Sequence, residues 1–134
     1  MLPFEHTIEL RVRYVETDAM GIVWHANYLS YFEVARSEAL RATGVVSYRA
    51  LEEAGIMMPI VEIGVTYFSP ARYDDVLRVT VRVTEPPRAR IRFDYTVQNQ
   101  DGAKVVEGFT ALAFMDAKTR RPCRPPKELQ ALFS

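Results

Sequence analysis

The sequence is 134 residues long, which indicates a single domain over 1–134, and 49% of its residues are hydrophobic. Its 17 basic and 17 acidic residues give a formal net charge of zero, which argues against nucleic acid as the main partner because phosphate neutralisation needs a basic surface. The single cysteine, Cys123, excludes an internal disulfide and fits a cytoplasmic protein, and no apolar run approaches the ~20 residues of a membrane span.

The first predicted element is a half-buried strand over 6–14. Polar residues alternate along it with apolar ones, and a period of two is typical of a strand with one buried face. The apolar face consists of Ile8, Leu10, Val12 and Tyr14. A loop containing Asp18 and Gly21 follows, and the glycine can adopt a positive φ without steric cost.

A long helix is predicted after this loop. Its apolar side chains recur at helical intervals, with Asn27 as the expected N-cap and Gly44 as the expected stop. The apolar face is formed by Tyr28, Phe32, Ala35, Ala39 and Ala42. Because alanine is frequent on this face, a sheet could pack close to the helix. A second, short helix is predicted over 47–54, ended by Gly55.

Four further strands are predicted in the second half of the chain, followed by a short helix over 127–132. Each strand alternates apolar and polar residues, and turn-forming residues separate the strands. The strands cover 59–68, 77–84, 90–98 and 104–115. Gly108, inside the last strand, is a candidate β-bulge.

This order of elements predicts an α+β fold, in which a five-stranded antiparallel sheet carries the long helix on one face. One helix covers only one face of five strands, so at least one edge of the sheet would stay open. An open edge presents unpaired backbone groups and favours pairing with another subunit. The pattern therefore indicates a homo-oligomer.

The loop before the long helix is where we expect the chemistry. It holds a carboxylate, Asp18, and one of the two histidines, His25, and it leads into a helix start whose unpaired N–H groups can hold an oxygen. An acid and an imidazole flanking a helix start can divide the work of acyl transfer. Taken alone, Asp18 also suits a turn or a cap, and His25 also suits a buried histidine with a backbone partner.

The roles of four other residues stay open at this point. Trp24 and Tyr28 suit either the core or the wall of a pocket. Arg88 and Arg90 belong to a basic strip that is either a solvated strand face or a contact to nucleotide phosphates. No metal site is predicted, because the two histidines lie far apart and neither belongs to a cluster with ligand spacing.

Two stretches resemble the hotdog-fold acyl-CoA thioesterases of the 4-hydroxybenzoyl-CoA thioesterase type, including the bacterial Tol–Pal-associated branch. The first is TDAMGIVWHANY at 17–28, and the second is FSPARYDDVL at 68–77. The order of elements is similar over nearly the whole chain, whereas the residue-level match is dense only in these two stretches.

The resemblance implies the hotdog fold, with five antiparallel strands wrapped around one long helix, in a homodimer or homotetramer with sites at the subunit boundary. It implies hydrolysis of a small or medium acyl-CoA without a metal or cofactor. By the same resemblance, Asp18 acts as nucleophile or as general base on water. The backbone N–H of His25 polarises the thioester carbonyl, and its imidazole orients substrate or assists proton transfer.

The residues expected to bind substrate are Gly21, Trp24, Tyr28, Arg88 and Arg90. Two other functions suit the same fold. One is hydration or dehydration of acyl thioesters, which needs a base beside the carbonyl, and the other is acyl-CoA binding without catalysis. Release of free thiol from an acyl-CoA distinguishes hydrolysis from both.

Overall fold

The structure is a computed structural model that describes residues 1–134. Its helices are α1 (Asn27–Ala42), α2 (Tyr48–Glu53) and α3 (Lys127–Leu132). Its strands are β1 (Phe4–Arg11), β2 (Ile56–Met57), β3 (Ile60–Tyr67), β4 (Val76–Val83), β5 (Arg90–Gln98), β6 (Lys104–Ala113) and β7 (Met115–Asp116). None of the three helices is long and apolar enough to cross a membrane.

Five of the strands form one antiparallel sheet in the order β1-β4-β5-β6-β3. The register places apolar residues opposite one another, for example Ile8 opposite Val79 and Val79 opposite Val97. In β4 and β5 every second side chain is buried, as the alternation of the sequence predicts. The five-stranded antiparallel sheet with its long helix confirms the predicted α+β hotdog fold.

Helix α1 packs its buried face against the inner surface of the sheet. The ring of Phe32 is fully buried and stacks on Tyr95 with a centroid separation of 4.2 Å. Gly108 of β6 lies against this ring, and a Cβ there would be 2.8 Å from Phe32 Cε2 and 2.7 Å from the backbone oxygen of Gly64. Because Gly108 stays in the regular ladder, the predicted bulge is wrong. The glycine instead leaves room for the helix.

Strand β3 is one of the two edge strands of the sheet, and β1 is the other. Helix α1 packs against β1 and β4, at the other side of the sheet, so it leaves the apolar residues of β3 largely uncovered. Val61 is 47% exposed and Ile63 is 42% exposed. The pairing of β3 with β6 also shifts register between Ile60 and Glu62. The expectation of an open edge is therefore confirmed, and it falls on an apolar strand.

The segment between β1 and α1 differs from the prediction at two residues. The strand ends before Tyr14, which lies in a 3₁₀ turn over Tyr14–Glu16 and is 77% exposed rather than on the buried face. The carboxylate of Glu16 accepts the backbone N–H of Arg13 at 2.9 Å and holds the turn. Asn27 is the first residue of α1 rather than its N-cap, because its Nδ2 donates to the Glu16 carbonyl at 2.7 Å.

The remaining elements match the prediction except near the end of the sheet. The last long strand is divided, and β7 pairs with β2 in a two-stranded sheet that the sequence pattern did not predict. Both short helices are confirmed as α2 and α3. Gly44, with φ of 71°, follows the end of α1 as expected.

Candidate active site

The loop between β1 and α1 is folded around Asp18. Its Oδ1 accepts the N–H of Met20 at 2.8 Å, and its carbonyl accepts the N–H of Gly21 at 2.9 Å. Gly21 has φ of 79°, a conformation that glycine adopts without strain. The N–H of Asp18 donates to the carbonyl of Ile22 at 2.9 Å and closes the loop. One carboxylate oxygen thus braces the turn, and the other accepts no hydrogen bond from the protein.

The chain enters α1 through a short hydrogen-bonded segment. The N–H of Trp24 donates to the Glu16 carbonyl at 3.0 Å, and the N–H of Asn27 donates to the Trp24 carbonyl at 2.9 Å. The backbone N–H of His25, which lies between them, has no acceptor in the protein. Such free donors at a helix start carry a partial positive charge and can bind an oxygen anion.

Tyr67, at the end of β3, holds the other side of this segment. Its hydroxyl donates to the His25 carbonyl at 2.9 Å, which fixes the plane of the peptide that follows His25. Its ring also contacts the ring of Tyr28 at 5.7 Å. Burial raises the pKa of Tyr28 to about 12, so this phenol stays neutral at physiological pH.

These elements enclose a mainly apolar cavity of about 430 Å³. Both candidate catalytic residues, Asp18 and His25, line it. The remaining walls are formed by Met20, Ile22, Val23, Tyr28, Tyr67, Phe68, Ser69 and Pro70. The structure therefore places a carboxylate and the first residues before a helix around a single space that is large enough for an acyl group.

Of the five residues predicted to bind substrate, only one lines the cavity. Tyr28 lines the cavity. Gly21 shapes the loop without lining the cavity, and Trp24 is 49% exposed with its ring 5.3 Å from the His25 ring. Arg88 and Arg90 do not reach the cavity within one chain.

The position of Arg90 in the sheet explains this separation. It faces Ala113 and pairs with Glu62 at 3.4 Å, near the Ile60 end of β3. The cavity lies at the Tyr67 end, roughly 23 Å away at the rise of a β-strand. The role predicted for Arg88 and Arg90 stays a prediction, and it requires another copy of the chain.

Seven lining residues were not among the predicted site residues: Met20, Ile22, Val23, Tyr67, Phe68, Ser69 and Pro70. Six of these lie in the two family-like stretches at 17–28 and 68–77, which were the available signal, and Tyr67 immediately precedes the second stretch. Ser69 is held by its hydroxyl, which donates to the Lys104 carbonyl at 2.7 Å. No group of three or more His, Cys, Asp or Glu side chains in the structure is arranged to hold a metal ion.

Comparison with known proteins identifies relatives of similar length. The model of the thioesterase-like superfamily matches residues 12–133. The acyl-CoA thioesterase YbgC of Haemophilus influenzae is 32% identical over 133 residues, which cover 99% of this chain and 97% of the relative. The acyl-CoA thioester hydrolase YbgC of Escherichia coli O6:H1 is 31% identical over 124 residues and covers 92% of each chain.

Solved structures agree with these sequence matches. A DHNA-CoA thioesterase from Staphylococcus aureus superposes with a TM-score of 0.86 at 32% identity, over 90% of this chain and 80% of that chain. A hypothetical protein from Thermus thermophilus superposes with a TM-score of 0.87 at 34% identity, over 96% and 94% of the two chains. With the sequence matched from the end of β1 to α3, the chain belongs to the thioesterase-like superfamily.

Proposed function

We propose that the protein is a cytoplasmic acyl-CoA thioesterase that hydrolyses a small or medium acyl-CoA. The observation that carries the proposal is the cavity shared by the Asp18 carboxylate and His25, whose backbone N–H is free at the start of α1. The names of the relatives support it, since the Haemophilus protein is named an acyl-CoA thioesterase and the Staphylococcus protein a DHNA-CoA thioesterase.

The chemistry follows from these two groups. In one route the Asp18 carboxylate attacks the thioester carbon, the C–S bond breaks, CoA leaves as the thiolate, and water then hydrolyses the mixed anhydride. In the other route Asp18 takes a proton from a water molecule whose oxygen attacks the same carbon. Both routes consume one water and release a free acid and a thiol.

Either route develops negative charge on the carbonyl oxygen. The N–H of His25 and the positive end of the α1 dipole stabilise that charge without a cationic side chain. Removing one donor of this kind typically lowers the rate by about 10²–10³. The imidazole of His25 lies at the same cavity and is suited to orienting the substrate or protonating the departing thiolate.

Neither arginine nor lysine lines the cavity, so the CoA phosphates need cations from elsewhere. If the β3 strands of two copies pair antiparallel, the Ile60 end of one copy meets the Tyr67 end of the other. This pairing brings Arg88 and Arg90 of one copy towards the cavity of the other. We therefore propose that the active form is a homodimer or homotetramer in which two copies contribute to each site.

A panel of acyl-CoAs tests the proposed activity. We expect release of free thiol, followed with a thiol reagent, from at least one short, medium-chain or aromatic acyl-CoA. Absorbance changes with an enoyl-CoA but no thiol release would favour hydration or dehydration instead. Calorimetric binding with no turnover of any member would identify a binding module.

The proposed subunit pairing is tested at β3. A lysine at an exposed strand edge opposes edge-to-edge association, so Val61→Lys is expected to shift the protein from dimer or tetramer to monomer in sedimentation velocity. Val45→Lys is the matched control, because Val45 is also exposed but lies beyond the end of α1. A Val61→Lys variant with the mass of the wild-type assembly would contradict the β3 interface.

A further inference from the structure

Glu16 does not line the cavity, but it makes several hydrogen bonds close to it. Its side chain is only 14% exposed, and its carboxylate accepts three hydrogen bonds at 2.9 Å. The donors are the backbone N–H and Nε of Arg13 and the hydroxyl of Tyr31. The carboxylate therefore connects the 3₁₀ turn to helix α1.

The backbone carbonyl of Glu16 makes a second set of contacts. It accepts the N–H of Trp24 at 3.0 Å and the Nδ2 of Asn27 at 2.7 Å. These donors lie immediately before and two residues after His25. Together with Tyr31 on the next turn of α1, they attach the helix start to Glu16 at three points. Asp18 follows Glu16 by two residues. The two sides of the cavity, Asp18 and the start of α1, are therefore both connected to Glu16.

The protonation states strengthen this attachment. Burial alone would raise the pKa of Glu16, but the hydrogen bonds from the Arg13 backbone, the Tyr31 hydroxyl and the Arg13 side chain outweigh it and lower the pKa. Burial and the hydrogen bond to Glu16 raise the pKa of Tyr31. The bond thus joins a carboxylate to a protonated phenol, and charge-assisted bonds are roughly twice as strong as neutral ones.

The contact continues from Tyr31 to the cavity wall. The ring of Tyr31 is buried and meets the ring of Tyr28 edge to face at 5.5 Å. Tyr28 lines the cavity and contacts Tyr67, which holds the His25 carbonyl. Loss of the Glu16 carboxylate would release Tyr31 and, through it, the packing that supports this wall.

We propose that Glu16 is a positioning residue for hydrolysis: it contacts no substrate, but it sets the separation between Asp18 and the free N–H groups at the start of α1. This inference rests on the proposed thioesterase function. Displacement of a reacting group by ~1 Å can lower a rate by about 10², so a tether at this point affects turnover more than substrate binding.

The kinetic test compares Glu16→Ala with Glu33→Ala, which removes an exposed carboxylate from α1 that makes no hydrogen bond or ion pair. We expect Glu16→Ala to lower kcat by about 10–100-fold, with KM changed less than about threefold. Glu16→Gln keeps an oxygen for Arg13 and Tyr31 and should recover most of kcat. Tyr31→Phe should lower kcat, and adding it to Glu16→Ala should cause little further loss.

Two kinetic results would overturn the inference. One is a folded Glu16→Ala variant with kcat within about twofold of wild type. The other is full additivity of Glu16→Ala and Tyr31→Phe, which would show that the residues act separately. If Glu16→Ala does not fold, the test uses Tyr31→Phe and Glu16→Gln. A wild-type kcat in Tyr31→Phe would then contradict the proposal that Glu16 acts through its hydrogen bond to Tyr31.

A spectroscopic test does not depend on activity. Trp24 is the single tryptophan, and its backbone N–H donates to the Glu16 backbone carbonyl, which Glu16→Ala keeps. Its fluorescence therefore reports whether the carboxylate bonds to Arg13 and Tyr31 also hold this segment. We expect acrylamide to quench Trp24 more strongly in Glu16→Ala than in wild type, with no change in Glu33→Ala. Unchanged quenching in Glu16→Ala would refute a role of the Glu16 carboxylate in holding this segment. Absence of wild-type turnover with the expected quenching would instead refute only the thioesterase function.

Discussion

Asp18→Asn is expected to lower kcat for acyl-CoA hydrolysis by about 10²–10⁴-fold, with little change in KM. Asparagine keeps the shape of the side chain and an oxygen that can accept the Met20 N–H, which Asp18 Oδ1 accepts at 2.8 Å. The turn should therefore survive, and the variant loses only the charge that the nucleophilic and general-base routes both require. Steady-state kinetics on the best acyl-CoA of the panel measure the effect.

Asp116→Asn provides the matched control for Asp18→Asn. Asp116 also braces a turn, since its Oδ1 accepts the N–H groups of Lys118 and Thr119 at 2.9 Å, but it does not line the cavity. Its substitution should leave kcat unchanged. Full activity in Asp18→Asn would remove Asp18 from the proposed chemistry and leave it as a turn residue.

Gly108→Ala is expected to destabilise the fold by about 1–3 kcal/mol. The new Cβ would lie 2.7 Å from the Gly64 backbone oxygen and 2.8 Å from two atoms of the Phe32 ring. Phe32 is fully buried and stacked on Tyr95, so neither neighbour can move away cheaply. Thermal unfolding should show a lower Tm, by about 2–8 °C per kcal/mol for a domain of this size class.

Gly64→Ala tests whether the location of the clash matters. The three heavy atoms nearest to its Cβ would all belong to the Phe109 ring, the closest at 2.3 Å. Phe109 is half-buried on the outer face of the sheet, under the guanidinium of Arg92 at 4.0 Å, and its ring can swing outward. We expect a smaller loss of Tm than in Gly108→Ala. The reverse order, or no loss in Gly108→Ala, would contradict the close approach of α1 to the sheet.

Local periodicity predicted the elements well, because the spacing of apolar residues in each strand and helix shows which of its faces is buried. It failed where a distant contact determines the structure. The alternation of apolar and polar residues continues to Tyr14, but the strand ends earlier, because the Glu16 carboxylate accepts the Arg13 N–H and stabilises a turn there. Asn27 suits an N-cap by type, but its side chain is bound by a carbonyl eleven residues earlier. The exposure of β3 depends on sheet order, which no single strand encodes.

The candidate site shows the same division. Asp18 and His25 were found because they lie within one short stretch that resembles a known family. Tyr67 was not found, because the residue it holds is 42 positions away in the sequence. Arg88 and Arg90 were assigned to substrate from their charge alone, and the sheet places them at the far end from the cavity.

The hydrogen bond between Tyr67 and His25 also bears on the order in which the molecule assembles. Contacts between distant residues form only after the entropy of closing the intervening chain has been overcome. We expect the cavity to form late in folding, after β3 has paired with β6 and Tyr67 has come within hydrogen-bond distance of His25. A fragment that stopped before β3 would carry every residue of 17–28 and still lack a pocket.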